Sequence, residues 1–313
     1  MKIIALLLTV LSTALYAGEV IPPSQLPNHY VGELQKTWQF PSDHLPVGAT
    51  IDDFHVATWN VLNSAYIDWI EKNTQGLSMS LIIDEHYVRL NEWGLTLREE
   101  HLVQNILKMV QHPTHPRSII ALQECGTVFL QELTKRLPKH MKIHYSSEKP
   151  AIDQNVIIYD SKQFKLLEDE SRIVPDAYPC NPGRTLMDIV FLKKSTKTKY
   201  RFVNTHLPGD PNLPGRFEFA HYIAGHRTQD RVTVLLGDMN FNPEMMESAF
   251  HGSLVHTFKN LVSYYTIVGT DKSAKAYDHI YVDFGKKAGK ASPNAPREVL
   301  PELESTVSLL EHR

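Results

Sequence analysis

The chain has 313 residues, with 32 Lys and Arg against 35 Asp and Glu, a formal net charge of −3, and 42% hydrophobic residues. That balance argues against a basic duplex-binding module, which announces itself with a charged stripe and a pI above ~9. It leaves one large α/β or α+β domain as the natural reading, because no repeat, low-complexity tract or Gly/Ser linker divides the chain.

The chain opens with Lys2, an almost wholly apolar stretch over 3–15, and Leu15-Tyr16-Ala17 before Gly18. Residues 1–17 are therefore predicted to be a cleavable secretory signal, which implies a secreted or periplasmic protein. The apolar stretch is shorter than the ~20 residues that a membrane span needs, and no later segment qualifies, so no transmembrane anchor is expected. Residues 18–50 hold Pro22, Pro23, Pro27, Pro41 and Pro46 and predict an extended surface leader. Residues 51–313 are expected to form the domain.

A strand is predicted over 54–60, ending in Trp59-Asn60, followed by a long irregular insert over 62–93 containing Tyr66, Trp69 and Trp93. Leu97, Leu102, Ile106, Leu107 and Val110 recur at helical spacing behind a capping box of Thr96 and Glu99. Pro113 and Pro116 end that helix. The apolar run 118–124 ends in Gln123-Glu124, and a second helix should cover 127–137 before Pro138. Strands follow over 141–146, 155–160, 164–174, 184–193 and 200–206. A helix over 215–226 precedes the strand that ends in Gly237-Asp238-Met239-Asn240, and Pro243 suits the first turn of another helix. The last strand contains 276–282.

Four buried-type strands thus end abruptly in Asn60, Glu124, His206 and Asp238. Polar groups at several strand ends can converge on one rim. A carboxylate there is costly to bury unless it is paired or coordinated, so Glu124 is the leading metal-ligand candidate, with Asn60 as an oxygen ligand or hydrogen-bond donor in the same shell. Magnesium takes one or two carboxylates and completes its shell with water and phosphate oxygens. Asp238 suits the orientation of an attacking water, Asn240 a donor to a phosphoryl oxygen, and His206 a donor or acid. Arg184, at the start of the strand paired with the one carrying His206, suits a phosphate clamp. Asp278 and His279 lie on opposite faces of their strand, and Asp278 is the one expected to reach the site. Cys125 and Cys180 leave a disulfide and a buried free thiol equally open.

Taken together, these segments resemble the endonuclease/exonuclease/phosphatase superfamily. Ala57-Thr58-Trp59-Asn60-Val61-Leu62 is similar to its first motif, Leu122-Gln123-Glu124 to its metal-binding motif, and Asn204-Thr205-His206-Leu207 to its histidine motif. Gly237-Asp238-Met239-Asn240 and Tyr277-Asp278-His279-Ile280 match two more, in the family's order. The resemblance implies a four-layered α/β sandwich with two central mixed β-sheets, DNase I-like. It also implies Mg²⁺- or Mn²⁺-dependent phosphoester hydrolysis, with Glu124 on the metal, Asp238 aligning water, and Asn240, His206 and Arg184 on phosphate. Nucleic acid is the default substrate, with a phospholipid or inositol phosphate as the alternative, and a monomer is expected. The family closes with a Ser-Asp-His strand whose histidine pairs with the residue matching Asp278. No such triplet follows Asp278, and Glu311-His312 is the only late acid–histidine pair. The expectation is therefore a truncated or degenerate C-terminus, with His279 or Glu311-His312 as substitutes, or a catalytically silent phosphate-binding protein.

Overall fold

The structure is a computed structural model that describes residues 41–73, 80–90, 94–147, 154–181, 183–253, 258–261, 267–268 and 274–284. The expected signal at 1–17, most of the leader, Trp93 and Glu311-His312 lie outside the described residues.

Two sheets form the centre. The first runs in the order β1-β2-β3-β5-β4, from β1 (Val47–Ile51), β2 (Phe54–Asn60), β3 (Arg117–Cys125), β4 (Met141–Tyr145) and β5 (Gln154–Asp160). The second is built from β6 (Phe164–Leu166), β7 (Arg172–Val174), β8 (Leu186–Lys193), β9 (Lys199–His206), β10 (Val232–Asp238), β11 (Lys259–Asn260) and β14 (Asp278–Asp283). Its order is β11-β14-β10-β9-β8-β6, with β7 also on β8. A separate ribbon joins β12 (Ile267–Val268) to β13 (Ala274–Lys275). Parallel pairing of β2 with β3 and of β9 with β10 makes both large sheets mixed.

Period-two alternation explains the layering. In β3, Ile119 and Ala121 face a core between the sheets, where they meet Phe202, Val234 and Ile280 of the second sheet. Ile120 and Leu122 face outward, beneath α3 (Leu97–Val110) and α4 (Thr127–Arg136). On the other side, Val203 and Leu235 pack under α5 (Gly215–Gly225) and α6 (Pro243–Gly252). Helix, sheet, sheet and helix give the expected four layers. Polar bonds cross the apolar gap at one level. Gln123 Nε2 donates to Asn204 Oδ1 at 2.7 Å, and Asn204 Nδ2 donates to the Leu122 and Val156 carbonyls.

Several local expectations hold. The Thr96–Glu99 capping box starts α3, and Pro243 occupies the first turn of α6. Others do not. The insert expected to be irregular holds α1 (Ile67–Asn73) and α2 (Ser80–Tyr87). The strand expected over 164–174 is two short ones, separated by a turn of Glu168-Asp169-Glu170 whose charges cannot enter the sheet. The leader expected to lie on the surface over 18–50 is buried along most of 41–50, and its end is β1, which is joined to β2 by a two-residue turn. No disulfide links Cys125 to Cys180. No helix among the described residues is long and apolar enough to cross a membrane.

Candidate active site

Register brings the four strand ends together. Asn60 is level with Gln123 across β2 and β3, while Asp238 is level with both His206 of β9 and Asp278 of β14. Asn60, Glu124, His206, Asp238 and Asp278 therefore meet at one rim, across the gap between the sheets. All are nearly inaccessible, from Glu124 at 8% exposed to Asp278 at 0%.

The backbone bends to make this rim. Leu62, Glu124 and Asn240 adopt φ of 55°, 57° and 53°, a left-handed region that non-glycine residues visit at a cost of about 1 kcal/mol or more and that clusters at functional sites. Gly237 has φ 140°, and a Cβ there would overlap the Thr205 carbonyl oxygen of the neighbouring strand. The missing side chain lets β10 lie against β9 and turn Asp238 inward.

Asn60 is the hub. Its Nδ2 donates to Glu124 Oε1 and to Asp238 Oδ2, each at 3.0 Å, while its oxygen accepts the Leu62 N–H. Through Nδ2 it acts here as a hydrogen-bond donor to both carboxylates. Glu124 Oε2 accepts the Asn63 N–H at 3.2 Å. His206 Nε2 stands 3.4 Å from Asp238 Oδ2 and 3.6 Å from Glu124 Oε1. Asn240 donates its backbone N–H to Asp238 Oδ1 and its amide to the Leu207 carbonyl. Arg184, just before β8, is close enough for its charge to act on His206 and on the buried Tyr178.

One member of the site was missed by the sequence reading. His44 Nδ1 lies 2.8 Å from Asp278 Oδ2, and its Nε2 lies 3.6 Å from Asp238 Oδ2. The expectation that Asp278 lacks a histidine partner is therefore wrong. The signal was present in the chain: Ser42-Asp43-His44 is the triplet sought after Asp278, at the opposite end of the fold. It was overlooked because its proline-flanked surroundings read as a leader.

His279, one of the expected substitutes, does not serve. It faces the other way and bonds the Phe241 carbonyl through Nε2 at 2.8 Å. Burial pushes its imidazole down to about 4 from an ordinary 6.5, against smaller opposing effects of the Phe241 carbonyl and Asp238. Between those two values the unfolded chain holds a proton that the folded chain refuses, so stability falls as pH drops through this window. His279→Asn should remove up to about 3 kcal/mol of that pH dependence. Urea unfolding of both proteins at pH 7 and pH 4.5 checks this, and equal slopes would refute it.

The two imidazoles at the rim are driven apart. Burial alone would lower His44, but the Asp278, Asp238 and Asp43 carboxylates outweigh it and raise it well above the ordinary value. Burial, with Arg184 and His44 adding to it, holds His206 well below that value. Burial raises Asp238, with His44 opposing. One imidazole shifted up beside one shifted down suits two different tasks on one substrate.

Three carboxylates, an amide and two imidazoles at one rim form a hard oxygen-and-nitrogen donor set that fits a divalent cation. His44, Asp238 and Asp278 each place one ligating atom within 4.8 Å of the others. Glu124, held by Asn60 and the Asn63 N–H, offers a further carboxylate at the same rim.

No protein-family model matches this chain, and no curated protein matches it in sequence. Its likeness is to solved structures. Bacteroides thetaiotaomicron mannosyl-6-phosphatase is 17% identical at a TM-score of 0.51, covering 74% of this chain and 85% of that one. An endonuclease/exonuclease/phosphatase from Bacteroides vulgatus is 16% identical at 0.52, covering 76% and 87%. D. rerio TDP2 complexed with single strand DNA product is 14% identical at 0.50, covering 78% and 86%. At such identities the likeness is one of fold.

Proposed function

We propose that this chain, which has the DNase I-like fold of endonuclease/exonuclease/phosphatase proteins, is an exported, divalent-metal-dependent phosphoester hydrolase. The observation that carries the reading is the Asn60 amide held between Glu124 and Asp238, with His206 against the same two carboxylates. Glu124 is the residue that would hold Mg²⁺ or Mn²⁺, with Asn60 beside it. When bound, the ion supplies charge neutralisation at a phosphoryl oxygen.

The chain's own groups carry the rest. Asn60 and the Asn63 N–H orient Glu124. The Asn240 N–H fixes Asp238 Oδ1, leaving Oδ2 turned toward Asn60, where it aligns a water and receives its proton. His206 and Asn240 hold non-bridging oxygens, and Arg184 supplies positive charge at the same edge. Export rests on the signal-like residues 1–17.

A nucleic-acid phosphodiester is the leading substrate class. A phosphomonoester such as an inositol or sugar phosphate is the second, since one solved protein of this fold is a mannosyl-6-phosphatase and another was solved with DNA product. The purified protein should hydrolyse at least one of single-stranded DNA, RNA, inositol phosphate, mannose 6-phosphate and sphingomyelin with Mg²⁺ or Mn²⁺, and EDTA should abolish turnover. Turnover that survives EDTA would sink the metal reading. Mn²⁺ binding without turnover on any substrate would leave a silent phosphate-binding protein.

A further inference from the structure

The imidazole on Asp278 comes from a part of the chain that nothing in the proposed chemistry required. We propose that His44 is the catalytic histidine of this site, and that the Ser-Asp-His strand expected to close the fold has been permuted to its front. This rests on the hydrolase reading above and extends it to residues 41–51.

The order of the segments carries the permutation. Ser42-Asp43-His44 runs into β1, and β1 pairs antiparallel with β2 from Val47 opposite Thr58 to Ile51 opposite Phe54. Strands that lie side by side can be joined by a tight turn whichever comes first, and permutation is tolerated where chain ends are close. The join here is the two-residue turn Asp52-Asp53, with Asp52 at φ 53°.

The hold on His44 carries the catalytic role. Ser42 Oγ donates to the Asn60 carbonyl at 2.7 Å and accepts the His44 N–H at 3.2 Å. Trp59 Nε1 donates to the His44 carbonyl at 2.9 Å, and Arg98 Nη1 donates to the Pro41 carbonyl at 2.9 Å. Arg98 is itself buried and also binds the carbonyls of Val61 and Leu62, on the loop that leaves Asn60. The backbone that carries His44 is thus fastened to the backbone that carries Asn60. The ring, 4% exposed, reaches from the first sheet to Asp278 of the second.

With Nδ1 fixed on Asp278, Nε2 faces Asp238 Oδ2, which His206 Nε2 approaches from its own side. The geometry gives a phosphoryl group two imidazole contacts. In the reaction, the water oxygen bonds to phosphorus as one of its protons passes to Asp238. The phosphorus–oxygen bond to the leaving group breaks with its electron pair on the leaving oxygen, which takes a proton from solvent. His44 holds a non-bridging oxygen through Nε2–H and transfers no proton.

The test uses the full chain, Mn²⁺ and bis(p-nitrophenyl) phosphate. His44→Gln and His44→Ala should each lower kcat by about 10²-fold, with Mn²⁺ affinity measured by calorimetry within about twofold of the parent. Free imidazole should restore part of the His44→Ala rate and none of the Glu124→Ala rate, a difference that a purely structural histidine would not produce. His312→Gln should keep the parent rate. A His44→Gln rate within about threefold of the parent would overturn the proposal. So would a parallel loss of Mn²⁺ affinity, which would make His44 a ligand, and so would loss of activity in His312→Gln alone. Should the variants fail to fold, ¹⁵N-histidine spectra of protein that keeps His44 decide. Inorganic phosphate should shift the Nε2 signal of the buried ring whose Nδ1 lies on Asp278, told apart from the part-exposed His101 on Glu85 by the unchanged signal of a His101→Gln variant, and no shift overturns the assignment. A parent protein that turns over no phosphoester sinks the hydrolase reading itself, an outcome distinct from a parent that is active and indifferent to His44.

Discussion

Glu124→Ala and Asp238→Ala should each lower kcat by about 10³-fold on whichever phosphoester the protein hydrolyses, the scale of removing one preorganised charge stabiliser. The two variants should differ in kind. Glu124 is held by Asn60 and the Asn63 N–H and faces His206, so its loss removes the cation's anchor and weakens Mn²⁺ binding along with kcat. Asp238 is the residue toward which Asn60, His206 and His44 all point, so its loss removes the acceptor for the water proton and leaves Mn²⁺ affinity closer to the parent's. Steady-state kinetics with calorimetric Mn²⁺ titration separates the two. A loss under about tenfold in either variant would refute its assigned role.

Gly237→Ala should destabilise the fold by about 4 kcal/mol or more, in the range that marks a specific steric cause. The added Cβ would meet the Thr205 oxygen, and φ of 140° is a conformation that alanine does not share. Relief would require β10 to move off β9, breaking the level pairing of Asp238 with His206. Urea denaturation should show a lower midpoint with an unchanged slope. A midpoint shift equivalent to under about 1 kcal/mol would show that the strand accommodates a side chain.

Much of this architecture is legible in the sequence. Long apolar runs with a polar last residue marked β2, β3, β9 and β10, because strands buried on both faces have nothing else to write. Proline and the capping box located the ends of α3 and the start of α6. What escaped was set by tertiary context. The Glu168-Asp169-Glu170 turn cut one expected strand into two, since three adjacent acids favour solvent over a ladder. His44 escaped for a different reason. Pro41 and Pro46 bracket it, so local pattern suggested exposed chain, while its burial comes from bonds to Trp59, Asn60 and Arg98 that are distant or non-periodic in sequence. The triplet itself stands in the sequence, but ahead of the other motifs and not behind them.

The Gln123–Asn204 bond has a further consequence. Two apolar sheet faces can slide over one another with little change in buried area, and such a surface does not choose a single alignment. A buried amide pair in that gap can make the Gln123–Asn204 bond and the Asn204 bonds to the Leu122 and Val156 carbonyls in one alignment only, and a slip leaves those groups stranded at about 1–3 kcal/mol each. Gln123 immediately precedes Glu124, and Asn204 lies two residues before His206. The pair therefore works as an indexing pin between two plates: it sets the offset at which a carboxylate on one sheet meets an imidazole on the other.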